Sequence, residues 1–323
     1  RRRRARGSGV TRAGTGTPSV TVAICTRNRA ALLAQAIESV VDQLESSEAE
    51  LLVVDNGSTD GTAKVVEAAA RGRTDVFYLL EEVPGLSRAR NAALQWSKAP
   101  VVAFLDDDAV ADPEWLAGAR EPFDDPRVDA AGGPVRLMFS QAAPPWLAVP
   151  SHATSMLGAL DLGASARDLE PPQGPYGCNM AVRTSSALRL GGFDPRLGHS
   201  ANRLGAAEET ELFVRLHAAG GHVRWVPSMG IGHLVPTGRT TLRYLMRRGF
   251  AVGRGQAAAD LTQQPLPLPS RLRRSASSAR AALGAVPRHR RGGDSPRGSW
   301  RLAWCELTIH LGRAVQLAAR PRV

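Results

Sequence analysis

The sequence predicts an α/β fold, a mostly parallel sheet with helices on both faces, followed by a basic helical C-terminal extension. Three observations predict it. Between residues 19 and 105, short apolar runs alternate with stretches of helical spacing. Two of those runs end in acid, "ELLVVD" at Asp55 and "VVAFLDDD" at Asp106–Asp108. Beyond residue 238 the pattern gives way to a segment with 17 Arg against only Asp260, Asp294 and Glu306.

The elements follow in order. Residues 1–18 hold six Arg, no acid and almost nothing to bury, and read as a disordered basic tail. "VTVAICT" reads as the first strand. In "RAALLAQAIESVVDQ", Leu32, Leu33, Ala36, Ile37, Val40 and Val41 recur at helical spacing. "ELLVVD" is a second strand, and "NGSTDGT" a turn in which Ser58 or Thr59 would cap a helix over 60–71. "DVFYLL" is a third strand, 86–97 a helix and "VVAFL" a fourth strand. Residues 132–176, rich in Pro, Gly and Ala, match no period. "GCNMAVR" reads as a strand, 184–190 as a helix, "AAEETELFVRLHAAGG" as a helix with Leu212, Phe213 and Leu216 on one face, and "HVRWVP" as a strand. Helical patterns over 240–259 and 300–320 flank residues 262–298, whose Pro, Ser, Arg and Gly read as a flexible linker. The domain expectation is therefore a tail over 1–18, a catalytic unit over 19–238 and a basic region over 239–323.

Alternating strands and helices imply a largely parallel sheet, and ligands of such sheets sit beyond the carboxyl ends of the strands. Asp55 and Asp106–Asp108 thus belong to one crevice. The formal charge of +11 is unevenly spread: residues 19–238 carry 18 basic and 27 acidic side chains. An acidic middle suits a cation and basic ends suit an anionic partner. No run of 18 apolar residues occurs, so no transmembrane helix is expected. Cys25, Cys178 and Cys305 show no paired spacing, which fits a reduced, cytoplasmic protein.

Asp106 and Asp108 stand two apart at a strand end, which aims both to one side. Two such carboxylates suit a hard divalent cation, Mg²⁺ or Mn²⁺, that keeps positions open for phosphate oxygens. A solvated acidic turn is the plainer alternative.

Five segments, in order, resemble the family 2 glycosyltransferases of GT-A fold: "VTVAICTRNRAALLAQAIESVVDQ", "ELLVVDNGSTDGTA", "GLSRARNAAL", "VVAFLDDDAVADPEWL" and "GCNMAVRTSSALRLGGFDPRLG" with the following "AEETELFVRLHAAGGHVRWVPSMGIGH". The resemblance spans about 19–238. It implies a nucleotide-sugar donor, a hydroxyl-bearing acceptor (glycan, lipid-linked or small molecule), inversion and a divalent metal. It casts Asp55 as the carboxylate that reads the base, beside an Asx-turn role. Thr26, Arg27 and Asn28 would lie against the nucleotide, with Arg27 where many members place an aromatic ring. Arg88, Arg90 and Asn91 would approach the diphosphate, or be helix-surface groups. Asp108 would bind the metal, Asp106 the ribose or metal, Asp107 the loop on the donor side. His233 would complete the metal site or be a plain core histidine. Gly177, Asn179 and Met180 would line the sugar side. Glu209 aligns with the catalytic base, with Glu208 as the second candidate. Trp115 reads as a core anchor.

Two rivals remain open at this stage. A sugar nucleotidyltransferase needs a Gly-rich basic loop after the first strand, and "CTRNRAALL" has no glycine. A nucleic-acid-binding protein would use the Arg-rich ends, but these lack interleaved aromatics or a known motif, so no specific nucleic acid is expected. In "WRLAWCELTIHLGRAVQLAAR", Trp300, Trp304, Leu307, Leu311 and Val315 share a helical face. Either that face packs on the catalytic unit, or it makes peripheral contact with the inner face of a membrane.

Overall fold

The computed structural model describes residues 17–46, 48–148, 150–171, 173–199, 205–263, 267–288 and 296–319. The strands are β1 Val20–Thr26, β2 Ala49–Asp55, β3 Val76–Leu80, β4 Val101–Leu105, β5 Ala109–Ala111, β6 Val128–Gly132, β7 Val135–Phe139, β8 Arg167–Asp168, β9 Asn179–Arg183, β10 His222–Trp225 and β11 Ile231–Val235. The helices are α1 Ala30–Val41, α2 Gln43–Ser46, α3 Thr62–Ala70, α4 Leu86–Trp96, α5 Trp115–Arg120, α6 His152–Met156, α7 Thr184–Arg189, α8 Glu208–Ala218, α9 Leu242–Gln263, α10 Leu268–Arg288 and α11 Pro296–Ala318.

The main sheet has the order β3-β2-β1-β4-β9-β6-β10-β8. β3, β2, β1 and β4 are parallel, as the alternating pattern requires, and β9 inserts antiparallel between β4 and β6. The chain leaves β1 on one side toward β2 and β3, then returns to pair β4 on the other. That reversal opens a crevice at the carboxyl ends of β1 and β4. A small second sheet, β5-β11-β7, stands beside it.

The side-chain period of two sorts each inner strand into two cores. Val20, Val22 and Ile24 of β1, with Val101, Ala103 and Leu105 of β4, pack under α1 and α5. Ala23, Val102 and Phe104 face the other way, against α4, α7 and α8. In α1 the buried residues are Leu33, Ala36, Ile37 and Val40, the i, i+3, i+4, i+7 stripe read from the sequence. Trp115, fully buried in the first of these cores, donates its indole N–H to Asn179 Oδ1 at 2.8 Å.

Two local expectations change. α3 begins at Thr62, and neither Ser58 nor Thr59 caps it. Asp60 accepts instead from the Thr62 backbone at 3.0 Å, while Ser58 and Thr59 bind Asn28. The expected linker is the second change: residues 268–288 form α10, packed along α11, with Ser275 Oγ bonded to Ala314 O at 2.9 Å and Arg271 to the last carbonyls of α11. The inward face of α10 holds Arg271, Ser275 and Ala279, small or polar residues rather than large apolar ones. Residues 264–266 and 289–295 of that span, and 1–16 of the tail, lie outside the described residues. The extension also packs on the catalytic unit, one of the two arrangements the sequence left open, but not through the expected face, where Trp304, Leu311 and Val315 are exposed. α9 and α11 cross so closely that a Cβ at Gly253 would land on Ile309 O, and one at Gly312 on Phe250 O. Tyr244, Val252 and Ile309 then pack with Met156 and Leu157 of the catalytic unit.

Asn179 is the polar rivet of this arrangement. It has no exposed surface, accepts from Trp115, and donates to Pro134 O at 3.2 Å and Met229 O at 2.7 Å. Asn179→Ala strands the Trp115 indole N–H and the Met229 carbonyl, while Pro134 O keeps the Ile231 N–H at 3.0 Å, and each such orphan costs about 1–3 kcal/mol. A urea titration should show the unfolding midpoint falling by an amount equivalent to about 2–5 kcal/mol.

Candidate active site

The crevice between β1 and β4 is built from two strand ends. β1 runs out into Thr26, Arg27, Asn28 and Arg29, with Asn28 in the left-handed region at φ 54°. β4 runs out into Asp106, Asp107 and Asp108. The two ends are bolted together. Thr26 Oγ1 donates to Asp107 Oδ2 at 2.7 Å, and Arg29 Nη1 reaches Asp107 at 2.7 Å and Asp108 at 3.0 Å. From the far side Arg239, just past β11, meets Asp108 Oδ2 at 2.8 Å, and His233 Nε2 lies 3.1 Å from Asp108 Oδ1. The other ring nitrogen of His233, Nδ1, lies 2.7 Å from Leu157 O.

These contacts split three adjacent carboxyls apart. Burial pushes Asp108 up, but the hydrogen bond and charge of His233, with Arg239 and Arg29, outweigh it and hold the group below its ordinary value. Asp107 is raised to about 6, by burial first, with Arg29 working against it. Asp106 is also raised by burial, opposed by Arg90 and reinforced by the charge of Asp108.

The opposite wall is the start of α8. Ala207, at φ 75°, holds a left-handed conformation that costs an L-residue roughly 1–2 kcal/mol. That bend turns Glu208 and Glu209 inward. Glu208 Oε1 accepts from Arg90 Nη1 at 3.0 Å, and its Oε2 has no partner among the described residues. Glu209 is raised to about 7, by burial first and then by the charge of Glu208. Arg90 is 2% exposed and spans the gap. It bonds Asp106 at 3.3 Å and Gly177 O at 2.8 Å besides Glu208, and its guanidinium lies 5.9 and 5.6 Å from the ring centroids of Phe104 and Phe193.

Between the walls lies a cavity of about 830 Å³. Among the residues expected from sequence, Thr26, Arg27, Asn28, Arg90, Asp106, Asp107, Asp108, Gly177, Glu208, Glu209 and His233 line it. Five do not. Met180 is fully buried in the core beneath, packed among the residues around Phe104 and Phe193. Arg88 is exposed on the outer face of α4. Asn91 clamps Phe193, bonding both its N–H and its C=O at 2.8 Å. Asn179 is taken up by the internal bonds described above. Asp55 is 3% exposed and forms the Asx-type contact to Ser58 N at 2.7 Å, with its second oxygen accepting from Tyr78 at 2.8 Å. Sequence reasoning missed Arg29, Arg239, Tyr176, His199, Tyr244 and Arg248, all on the cavity wall. Of these only Arg29, in "CTRNR" beside the first strand, lay within a recognised segment.

The donor set suits a hard cation. Asp106, Asp108 and His233 offer oxygen and imidazole nitrogen, and Leu157 O holds Nδ1 so that Nε2 faces Asp108, the orientation a metal-bound histidine needs. The nearby thiols stay protonated: burial raises Cys25 to about 12 and Cys178 well above its ordinary value. Among the described residues no group of three His, Cys, Asp or Glu side chains is by itself placed to hold a metal ion, and two guanidiniums hold the second oxygen of Asp108. An open site completed by substrate oxygens is the kind these residues can make.

The profile of glycosyl transferase family 2 matches residues 21–178, and that of glycosyl transferase family group 2 matches residues 101–311. Succinoglycan biosynthesis protein ExoM of Rhizobium meliloti (strain 1021) is 29% identical over 242 residues, spanning 72% of this chain and 72% of that protein. The glucosyl-dolichyl phosphate glucuronosyltransferase of Haloferax volcanii is 25% identical over 251 residues, 75% of this chain and 77% of that one. A mannosyltransferase from Pyrobaculum calidifontis, solved with GDP-Man and Mn²⁺, is similar in fold with a TM-score of 0.55 at 20% identity, covering 94% of this chain and 74% of its own. With the acidic crevice at the β1–β4 switch point and these matches together, the chain belongs to the family 2 glycosyltransferases and is a glycosyltransferase of GT-A fold.

Proposed function

We propose that the protein moves a sugar from a nucleoside diphosphate sugar to an acceptor hydroxyl with inversion, using Glu209 as base. One observation carries the reading: Asp106–Asp108 and Glu209 occupy opposite walls of one cavity, and Glu209 is tuned to about 7. A base tuned near the working pH is the right strength to take a hydroxyl proton in the transition state. As the acceptor oxygen bonds to the sugar's C1, its proton passes to Glu209. The bond from C1 to the diphosphate oxygen breaks, and the electron pair leaves with the diphosphate. Attack from the wall opposite the leaving group inverts C1.

The donor's diphosphate belongs on the Asp106–Asp108 wall. Arg29 and Arg239 stand there as cations for the departing charge, and Arg27 presents a buried Nη1 without a partner among the described residues. Asp108 and His233, with Asp106, would hold Mg²⁺ or Mn²⁺, which when bound adds positive charge beside the leaving group. The Mn²⁺ and GDP-Man of the P. calidifontis enzyme support that assignment.

The test is a panel of nucleotide sugars with Mg²⁺ or Mn²⁺, read as released nucleoside diphosphate. Glu209→Gln should lower turnover roughly 100- to 10,000-fold. In the native enzyme turnover should rise with pH through a limb near 7 and level off above it, because the deprotonated carboxylate is the active form. Full activity in EDTA ends the metal assignment. A near-normal Glu209→Gln beside a dead Glu208→Gln moves the base one residue back. Release of pyrophosphate from a nucleoside triphosphate and a sugar phosphate would make the protein a nucleotidyltransferase instead.

A second observation favours peripheral contact with an anionic membrane. Trp304, Leu311 and Val315 of α11 are 42%, 40% and 50% exposed, and Leu272 of α10 is 50% exposed beside exposed Arg273 and Arg274. Leu307 is half-buried, and the side chain of Trp300 lies outside the described residues. Among the described residues no helix is long and apolar enough to cross a membrane, so the contact would be interfacial. The protein should co-sediment with phosphatidylserine-containing liposomes at low salt. Removing one exposed Arg should weaken binding roughly five-fold, the worth of about 1 kcal/mol per cation. Protein that stays in the supernatant at low salt ends this reading.

A further inference from the structure

The half of the cavity beyond Glu209 is walled by the extension. Tyr244, Arg248, Val252 and Gln256 line it from α9, one residue per turn, with Ile309 of α11 and Met156 and Leu157 of α6 and its end alongside. This wall carries a cation that stands apart from Arg29, Arg90 and Arg239, as Arg27 with its unpartnered Nη1 also does among the described residues. Arg29, Arg90 and Arg239 are each bonded to a carboxylate. Arg248, half-buried, has no carboxylate partner among the described residues. Its Nη1 donates to Gly205 O at 2.8 Å and stands 3.4 Å from His199 Nε2. His199 supplies no counter-charge: burial, and then the charge of Arg248, press it down to about 4, so it is neutral near pH 7. A cation partly withdrawn from water, with Nε and Nη2 uncommitted among the described residues, is an anion receptor.

We propose that Arg248 recognises an anionic group, a phosphate or a carboxylate, carried by the acceptor next to the sugar that Glu209 activates. This rests on the glycosyl-transfer reading above. The same wall is apolar on either side of the guanidinium, through Val252, Ile309 and Met156, so the acceptor continues past its anion into apolar matter. Arg248 and Glu209 line the same cavity, so the anion subsite shares the chamber of the reacting hydroxyl.

The experiment compares a neutral alkyl hexoside, the matching hexuronide and the matching hexosyl phosphate as acceptors, with whichever nucleotide sugar the donor panel identifies. The native enzyme should use at least one charged acceptor roughly 10- to 100-fold better in kcat/KM, the range of one charge-assisted contact. Which charged arm wins separates phosphate from carboxylate. Arg248→Gln should bring the charged-to-neutral ratio close to one, and Arg248→Lys should restore part of it. A native enzyme that uses neutral and charged acceptors equally, or an Arg248→Gln variant that keeps the native preference, overturns the proposal. Calorimetric titration of hexose 1-phosphate into native protein and both variants reads the same site without turnover. Binding should be lost in Arg248→Gln, and equal binding by both counts against the site. If no donor is ever consumed, the glycosyl-transfer reading fails, while the titration still decides the anion site.

Discussion

One buried guanidinium sets the geometry of the whole cavity. Arg90 reaches from α4 to Asp106 at the end of β4, to Glu208 at the start of α8 and to the Gly177 carbonyl ahead of β9. Removing its charge would leave the buried carboxylate of Glu208 without a counter-charge, beside a partly exposed Asp106, and an uncompensated buried charge is costly in a protein interior. The aromatic faces of Phe104 and Phe193 hold it from the core side. The same charge also pulls Glu209 downward against burial and Glu208, so the strength of the base depends on a residue that touches no substrate in the proposed reaction.

Charge around the cavity is balanced as well as ordered. Five carboxylates, Asp106, Asp107, Asp108, Glu208 and Glu209, line it with five arginines, Arg27, Arg29, Arg90, Arg239 and Arg248. The two sets cancel when every acid is ionised, and a doubly charged diphosphate arriving with a divalent ion would add no net charge to that balance. A cavity carrying the acids alone would repel the donor, and one carrying the arginines alone would hold the product.

Much of this was readable from the chain. The parallel strands announced themselves as apolar runs, and the acids that end two of them marked the open side of the sheet. Asn179 and Asn91 were misplaced for a physical reason. A polar side chain in a buried segment looks the same on paper whether it meets a ligand or satisfies a backbone carbonyl, and here both do the latter. Arg239 and Arg248 left no trace because tertiary folding, not spacing, brings them to residues more than a hundred positions earlier or to a separate loop. α10 was hidden by its composition: a segment rich in Pro, Ser, Arg and Gly reads as linker, and its low content of large apolar residues masked a helical spacing that is there.

The glycine crossing of α9 and α11 has a bearing on how such an enzyme diverges. Gly253 and Gly312 lock the two helix backbones together on one side of α9, while Tyr244, Arg248, Val252 and Gln256 stand on the cavity side. The packing seam and the cavity surface therefore occupy different faces of one helix, and neither shares residues with the strands that carry the aspartates. Substitution at 244, 252 or 256 can reshape the far half of the cavity while the crossing holds its depth and the β1–β4 crevice is left alone.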